Sequence, residues 1–418
     1  MENLLKKVKD DWNSISYEVC IFLYLFLRFI VIMPTKMRSW VSTYYACNYS
    51  YGFIPRGFIG SIFNFVSRGN ISSLNAHSFA FVATFVLILL ASILLGKLIR
   101  SIRKGPKRNM VTFLVIVYLF MPFSICYLFD KENFGRMDLY LYIITFIQIL
   151  IIYKKPTLGK MMMCMALSVV GVMIHEAYAL YIFPILFVIL MYVLYKNEFD
   201  KKLIVGMIFL LTAILISTIY FNFFATTTME EPNEFVNTLR ETTDLKINDY
   251  CIKYQYYMHT AEEQKGYFVD RLIKYNVFGL ICTMILLLPI NMYIYKVLKG
   301  AFSKYSKTKF GYVLILMQLA VVVYIPLFAC TSDWGRWLAA AYNYLVALLI
   351  IILIQNDRIV FKELIRVNKF IDKRLSKNIN KFALFISIIL IYSSFGVFQT
   401  AGITNIFFAF GNYIDKLI

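Results

Sequence analysis

Apolar runs of about 20 residues alternate with short charged clusters along nearly the whole chain. Runs of this length are typical of helices that cross a bilayer, because about 20 helical residues span its hydrocarbon core. We therefore predict an all-α fold, a polytopic membrane helix bundle with about eleven transmembrane helices. The predicted spans are 17–33, 77–99, 110–129, 138–153, 160–174, 177–195, 203–224, 277–295, 311–330, 338–355 and 382–398.

The composition supports a membrane protein and excludes a soluble one. Of the 418 residues, 60% are hydrophobic and 17% are aromatic, which leaves too little polar surface to cover a soluble core. We predict a single integral membrane domain, residues 1–418. The first apolar run begins near Tyr17 without a small-residue cleavage site, so we expect a retained helix rather than a removable signal peptide.

The positions of the basic residues predict the orientation. If the N-terminus is cytoplasmic, the inner segments 1–16, 96–109, 154–160, 196–202, 296–310 and 356–381 hold 28 of the 43 Lys and Arg. Basic residues concentrate in cytoplasmic loops of membrane proteins. The net charge of +19 is then explained by topology and by anionic membrane lipid, so we expect no nucleic-acid partner.

With this orientation, five unusual segments open on the extracytoplasmic face, and we call them the outer segments. They are the opening segment around "CNYSYGFIPRGFIGSIF" (residues 47–63), "DKENFGRMD" (130–138), "HEAY" (175–178), the long loop 225–276 and "SDWGRW" (332–337). The inner connections contain little besides Lys, Arg and a few carboxylates. We therefore predict a site at the outer membrane–water boundary, with loop 225–276 forming a small lid of two or three short helices.

Arg56 lies in a stiff part of the opening segment. Pro55 fixes its own φ angle, and the glycines at 52, 57 and 60 permit close backbone approach. The surrounding aromatic residues favour a re-entrant or surface-lying segment. A guanidinium held there presents a planar fork suited to phosphate or pyrophosphate, so Arg56 is a substrate-binding candidate. The alternative is an interfacial arginine bound to carbonyls or lipid headgroups.

His175 and Glu176 follow directly on a predicted span. Ionisable residues at this depth are costly and are usually functional. Histidine could act as a general base on a sugar hydroxyl or donate a hydrogen bond to a phosphate. Glu176 could orient the ring or pair with an outer arginine. We predict both as catalytic residues, the alternative being a polar cap on a helix junction.

Two further outer segments supply candidates. Asp333 and Arg336 are three residues apart and would be neighbours on a helical turn. We count Asp333 as catalytic and Arg336 as substrate-binding, with Trp334 either a stacking surface for a sugar ring or part of an aromatic belt. Arg136 and Asp138, beside the entry to a span, are substrate-binding candidates too.

The cysteines point to no cofactor. The seven cysteines show neither CxxC nor Cys/His ligand spacing, so we predict no zinc site and no disulfide framework. We expect neither a metal nor an organic cofactor.

The many spans, the long outer loop and the outer arginines resemble the Wzy-type polymerases of O-antigen and capsular polysaccharide. The resemblance covers the whole chain through its architecture. It implies that the substrate and partner is a polyprenyl-pyrophosphate-linked glycan, with Arg56, Arg136 and Arg336 binding lipid phosphate. It further implies a bacterial inner membrane with the site facing outside, and other proteins of a polysaccharide assembly complex as candidate partners.

The close rival is the GT-C glycosyltransferase superfamily, which uses polyprenyl-phosphate sugars on the same face. Its mark is an acidic residue in the first outer loop, and no Asp or Glu occurs from Val19 to Phe129. Asp130 or Asp138 could substitute from the next loop. A membrane O-acyltransferase would need an acyl donor near His175, and a transporter would need more mid-span charges than Arg28 and usually two similar halves.

Overall fold

The computed structural model describes most of the first 257 residues and parts of the remainder. The described ranges are 2–121, 124–153, 156–257, 334–354 and 358–375, short pieces between 288 and 311, and residues 398–399 and 402–403. The predicted spans 277–295, 311–330 and 382–398 fall mainly outside these residues, as do Asp333 and residues 258–276 of the long outer loop.

The described residues are almost entirely helical, as predicted. The helices are α1 (Glu2–Ile32), α2 (Ser39–Ala46), α3 (Gly57–Val66), α4 (Ser73–Ser101), α5 (Pro106–Phe120), α6 (Met137–Ile152), α7 (Leu158–Ile174), α8 (Tyr178–Tyr181), α9 (Phe183–Lys196), α10 (Lys201–Phe223), α11 (Pro232–Thr242), α12 (Asp249–Tyr256), α13 (Trp334–Ile354) and α14 (Arg358–Leu375). Short 3-10 turns cover Tyr49–Tyr51 and Ile125–Phe129. One antiparallel ladder, β1 (Phe398–Gln399) with β2 (Gly402–Ile403), pairs Phe398 with Ile403.

Several helices are long and apolar enough to cross a membrane. Within the described residues there are three such stretches, Ser73–Ser101, Arg108–Phe129 and Lys201–Phe223. Shorter apolar helices cover Gly57–Val66, Met137–Ile152, Leu158–Ile174, Leu186–Lys196 and Ala339–Ile350. The helical membrane class is thus supported, and the number of eleven spans stays a prediction.

The helix boundaries follow the predicted spans closely from residue 77 to residue 224. The predicted spans 160–174 and 177–195 correspond to α7 and to α8 with α9, separated by the turn at 175–177. One segment differs from the prediction, because residues 2–16, predicted as an inner segment before the first span, continue α1. The opening segment, predicted to be re-entrant or surface-lying, contains most of α3.

The residues cluster into two units. The first unit comprises residues 1–25, 91–127 and 272–418, and the second comprises residues 26–90 and 128–271. The prediction of a single membrane domain is not decided by this division. The candidate site described below lies in the second unit.

In the second unit, α7 is the central helix, with α6 and α10 packed along it. Gly206 of α10 makes this packing close, because a Cβ atom there would lie 2.8 Å from the Cβ of Met161 on α7. Small residues permit such close helix packing where lipid removes the usual hydrophobic driving force. The α7 helix also contacts α3 of the opening segment and so connects the apolar helices to the outer segments.

Helix α2, which ends just before the opening segment, and helix α3, which begins in it, form a tight pair. Gly60 on α3 lies so close to the end of α2 that a Cβ atom there would be 1.8 Å from the carbonyl oxygen of Cys47. Gly52 has φ +106°, and a Cβ atom there would lie 2.7 Å from the carbonyl oxygen of Thr226. The prediction that these glycines permit close backbone approach is confirmed at both positions.

The described part of the long outer loop forms two short helices, α11 and α12, that dock on the opening segment. The Ser42 hydroxyl donates to the Lys246 carbonyl at 2.6 Å, and the Asn248 N–H donates to the Thr43 hydroxyl at 2.9 Å. The Thr228 N–H donates to the Tyr51 carbonyl at 2.9 Å. The loop therefore covers the opening segment through bonds to its backbone and to buried hydroxyls.

In the first unit, polar contacts join neighbouring helices. Glu18, in the middle of α1, forms an ion pair with Arg100 in the last turn of α4. The Tyr118 hydroxyl of α5 donates to Asn343 of α13. The α14 helix packs against α13.

Candidate functional site

The site is centred on Arg56, which has a left-handed backbone at the start of α3. Its φ and ψ angles are 62° and 8°, a conformation that costs a residue other than glycine about 1–3 kcal/mol. The conformation turns the side chain towards the 175–177 turn, 120 residues further along the chain. There the Arg56 Nε atom lies 3.1 and 3.0 Å from the two carboxylate oxygens of Glu176, and Nη2 also donates to Oε1.

Tyr44 of α2 holds the other side of the guanidinium. Arg56 Nη1 donates to the Tyr44 hydroxyl, and the guanidinium carbon lies 5.3 Å from the centre of the Tyr44 ring. The indole N–H of Trp40 donates to the same hydroxyl at 3.1 Å. A guanidinium carries five N–H groups. Among the described residues, Glu176 and Tyr44 take three of them, which leaves one N–H on each terminal nitrogen.

The charges of the pair are mutually stabilised although the two side chains are only 14% and 17% exposed. Burial alone would raise the pKa of Glu176, but the charge of Arg56 and the hydrogen bond from Arg56 outweigh it and hold the pKa well below its usual range. Glu176 is therefore ionised at neutral pH and is a weak base. This geometry favours the expected pairing with an outer arginine over proton abstraction.

His175 is buried beside this pair, at the end of α7. Its Nδ1 atom accepts the Ala177 N–H at 3.2 Å and lies 3.5 Å from Glu176 Oε2. A neutral imidazole that accepts at Nδ1 carries its proton on Nε2. In this tautomer the ring is a hydrogen-bond donor, so the geometry favours the second predicted role, donation to a phosphate, over that of a general base.

A buried cluster of three hydrogen-bonded side chains fixes the position of the 175–177 turn. The Tyr178 hydroxyl lies 3.0 Å from Ser168 Oγ and donates to Gln148 Oε1 at 3.3 Å, and Gln148 Nε2 donates to Ser168 Oγ at 2.9 Å. Each of these three side chains is hydrogen-bonded, as burial in an apolar environment requires. The Tyr178 ring packs directly on Gly171 of α7. The turn that carries Glu176 is thus anchored on α6 and α7.

Arg136 lies close to the same site. Burial raises the pKa of the Cys251 thiol to about 12, and a hydrogen bond with Tyr44 and the charges of Arg56 and Arg136 act against that rise. Both guanidinium groups therefore lie within electrostatic range of one thiol. Arg136 is mostly buried and precedes the first turn of α6. The structure thus brings together Arg56, Arg136, His175 and Glu176, four of the predicted site residues.

The two acidic candidates of the next outer segment are placed differently. Asp138 is fully buried in the first turn of α6, so its carboxylate presents no surface to a substrate in this structure. Asp130 Oδ1 accepts the backbone N–H groups of Glu132 and Asn133 at 3.1 and 2.9 Å. Burial raises the pKa of Asp130 to about 6 against the effect of these bonds. Within the described residues, no group of three His, Cys, Asp or Glu side chains is arranged to hold a metal ion.

The remaining candidates belong to the first unit. Arg336 is partly exposed on α13, and its guanidinium carbon lies 5.6 Å from the centre of the Trp337 ring. The structure describes the backbone of Trp334 as the start of α13. Asp333 lies outside the described residues.

Three aromatic residues near the site were not singled out by the sequence analysis. Trp40 lies 6.2 Å from Tyr250 and 6.3 Å from Tyr254, ring centre to ring centre, and the two tyrosines stack at 6.1 Å along α12. All three rings are partly exposed. We call them the aromatic trio. The four-residue spacing of Tyr250 and Tyr254 predicts that they share a helix face, but nothing in the sequence pairs that face with Trp40.

The fold and the site together define the class: an all-helical protein with helices long and apolar enough to cross a membrane, and with a buried arginine–glutamate site held by segments far apart in sequence. The comparisons add no family to this description. No protein-family model matches the chain, and neither a curated protein nor a solved structure shows significant similarity to it.

Proposed function

We propose that the protein polymerises polyprenyl-pyrophosphate-linked oligosaccharide repeat units on the extracytoplasmic face of the bacterial inner membrane. In this proposal the N-terminus is cytoplasmic, about eleven helices cross the membrane, and the outer segments form the site. The reaction is a glycosyl transfer in which the lipid pyrophosphate is the leaving group.

The observation that carries the proposal is the way Arg56 is held. Glu176 and Tyr44 fix the plane of the guanidinium, and they leave one N–H on each terminal nitrogen. Terminal N–H groups that lie in one guanidinium plane can donate to the oxygens of a phosphate. The site therefore has an oriented donor pair whose geometry is set before a substrate arrives, which is the requirement for stabilising charge that develops in a transition state.

The neighbouring groups add positive charge and donors. The Arg56–Glu176 pair is neutral as a unit, and Arg136 supplies further positive charge near Cys251. His175 adds an imidazole whose Nε2 carries a proton. As the glycosidic bond breaks, negative charge accumulates on the departing pyrophosphate, and these groups stabilise it. We therefore assign Glu176 to positioning Arg56 and His175 to hydrogen-bond donation.

The aromatic trio gives the proposal a place for the glycan. Trp40 donates a hydrogen bond to the Tyr44 hydroxyl, and the same hydroxyl accepts one from Arg56. The aromatic trio therefore lies next to Arg56. Aromatic faces flanked by polar groups are typical of sites that orient small polar ligands. Asp249 and Lys253 are exposed on the same short helix as the two tyrosines. We assign to the trio the role of stacking a sugar ring, a role that the sequence analysis gave to Trp334.

A GT-C-type transfer of a single sugar is the second candidate. The observation that favours it is that the fold brings acidic residues to the opening segment, which has none of its own. Glu176 pairs with Arg56, and Glu132 pairs with Arg38. An acid from another outer segment could then serve where that superfamily uses one from its first outer loop.

The test is an analysis of lipid-linked and surface glycans by chain length in a strain that lacks the protein. The polymerase proposal expects the long ladder to disappear while a single repeat unit is still made. Incomplete repeat units that lack one sugar would establish the GT-C candidate instead. An unchanged ladder that has lost only acetylation would indicate the acyltransferase and would exclude both.

Complementation with point variants connects the result to the site. Arg56→Ala should reduce the ladder at least 100-fold, since it removes the oriented donor pair. The matched control is Arg68→Ala, because Arg68 is an exposed arginine at the other end of α3 with the same left-handed backbone, φ 53°. Full polymer length and yield from a normally inserted Arg56→Ala variant would overturn the assignment.

A further inference from the structure

The α14 helix carries a continuous stripe of exposed positive charge. Its members are the cations at 358, 362, 366, 369 and 373, all exposed, at spacings of four, four, three and four residues. At about 100° per residue, these positions occupy an arc of about 80° on one face. The Arg366 side chain is 75% exposed. We call this face the basic stripe.

The opposite face of the same helix is bound to the protein. Val360, Phe361, Leu364 and Val367 are buried there. Glu363 is buried on the edge of this face and forms an ion pair with Lys304, while its Oε2 lies 3.5 Å from Arg366. The helix is therefore held with a fixed rotation about its axis, and the basic stripe points away from the protein.

The position of the helix places this stripe near a membrane surface. The α14 helix begins four residues after the end of α13, whose apolar sequence coincides with the predicted span 338–355. Phe370 is 49% exposed beside the stripe, and the Lys296 ammonium lies 5.2 Å from the centre of its ring. An exposed aromatic ring between cations is the composition of a helix that contacts lipid headgroups.

We propose that the basic stripe is a binding surface for the headgroups of anionic phospholipids in the adjacent leaflet. The stripe has charge complementary to phosphate, a fixed orientation, and an origin at the end of an apolar helix. Clusters of four to eight cations next to a transmembrane helix bind anionic lipid in this way. The basic stripe belongs to the first unit, shares no residue with the proposed catalytic groups, and does not depend on the proposed reaction.

The experiment measures which lipids the full-length protein retains. The purified protein is exchanged into nanodiscs of equal parts phosphatidylglycerol and phosphatidylcholine, released into mild detergent, and its bound lipids are counted by native mass spectrometry. We expect the wild type to be enriched at least fivefold in phosphatidylglycerol. Replacing the five stripe cations with Gln should bring the ratio close to one.

A matched control replaces five exposed cations of the predicted outer loops with Gln, namely Lys36, Arg68, Lys131, Lys246 and Lys253. This variant loses the same net charge and should keep the wild-type lipid ratio. A salt series on the wild type gives an independent reading, because enrichment should fall steeply between 50 and 500 mM NaCl. Equal enrichment in both five-residue variants would overturn the proposal. So would capture of an acidic protein by the stripe with the lipid ratio unchanged.

Discussion

Two of the inner connections, the one between α4 and α5 and the one before α10, are stabilised differently from the outer segments. In the inner connection between α4 and α5, Arg108 Nε donates to the Ile102 carbonyl only six residues away. In the inner connection before α10, Asp200 caps its own helix by accepting from the Lys202 N–H. In both connections these hydrogen bonds join residues that are close together in sequence.

The outer segments are joined to one another over long separations in sequence. Arg56 and Glu176 are 120 residues apart, and Ser42 and Lys246 are 204 residues apart. Long-range contacts cost more chain entropy to form than local ones. Where many long-range contacts form together, as among the outer segments, they hold the chain in one specific arrangement. The inner segments 296–310 and 356–381 are also joined, by the ion pair between Lys304 and Glu363, 59 residues apart, so the contrast holds for the connections next to α5 and α10.

The largest expected effect comes from Gly60, where the outer segments are packed most tightly. Gly60→Ala places a Cβ atom 1.8 Å from the Cys47 carbonyl oxygen, so α2 and α3 must separate. We expect the folded protein to be lost or destabilised by several kcal/mol. The measurement is the yield of monodisperse protein and its thermal unfolding. Gly159→Ala in an inner connection is the control, because open space surrounds that position, and it should unfold within a degree or two of wild type.

The next effect tests whether the ion pair is functional or only structural. Arg56→Ala or Glu176→Ala alone leaves a largely buried charge unpaired and should cost about 3 kcal/mol. The exchanged pair, Arg56→Glu with Glu176→Arg, should recover most of that loss in thermal unfolding at pH 7. It should not recover the polymer ladder, because the arginine then projects from the 175–177 turn, and its N–H groups no longer lie where Arg56 presents them. Restoration of both stability and ladder would show that the pair is structural only.

A smaller effect is expected from one hydroxyl that joins the opening segment to the long loop. Thr43→Val removes the acceptor of the Asn248 N–H and leaves that group without its partner. We expect a loss of about 1–3 kcal/mol and faster proteolysis of the α11–α12 region. Ser101→Ala in an inner connection removes only a local bond to the Leu98 carbonyl and should change neither measurement. Equal effects of the two variants would contradict the contrast between the two sides.

The smallest effect depends on pH. The pKa of Asp130 in the folded protein is raised to about 6 from an ordinary 3.8, so the folded state binds the proton more tightly. Stability is then greatest below pH 3.8 and falls as the pH rises through 6. Asp130→Asn should remove this loss and raise stability at pH 8 by about 1–3 kcal/mol, with no gain at pH 4. A stability gain of the Asp130→Asn variant that persists at pH 4 would contradict the mechanism.

Much of the helical architecture could be predicted from the sequence. The run of apolar residues from 203 to 224 predicts α10 almost to the residue, since a helix in an apolar environment must satisfy its backbone hydrogen bonds internally. The opening segment was harder to predict, because its helices are short and are stabilised by tertiary contacts. Gly60 indicated close approach, but not that α2 would be the neighbour.

Part of the candidate site could be predicted from the sequence, but not which residues would pair. Arg56, Arg136, His175 and Glu176 were all selected from the sequence, since charged groups beside apolar runs are costly without a role. The sequence could not show that the Glu176 carboxylate would accept hydrogen bonds from Nε and Nη2 of Arg56. Tyr44 and Trp40 were missed because neither carries a charge that would distinguish it within an aromatic-rich part of the chain.

The sequence by itself determined the helical membrane class, because hydrophobic periodicity and length are local properties that each segment carries alone. Only the tertiary structure decided which outer groups meet. The Arg56–Glu176 pair, the aromatic trio and the docking of α11 and α12 depend on segments more than 100 residues apart. Their partners are chosen by packing around α7 and by the close approach at Gly60, and no local pattern encodes that choice.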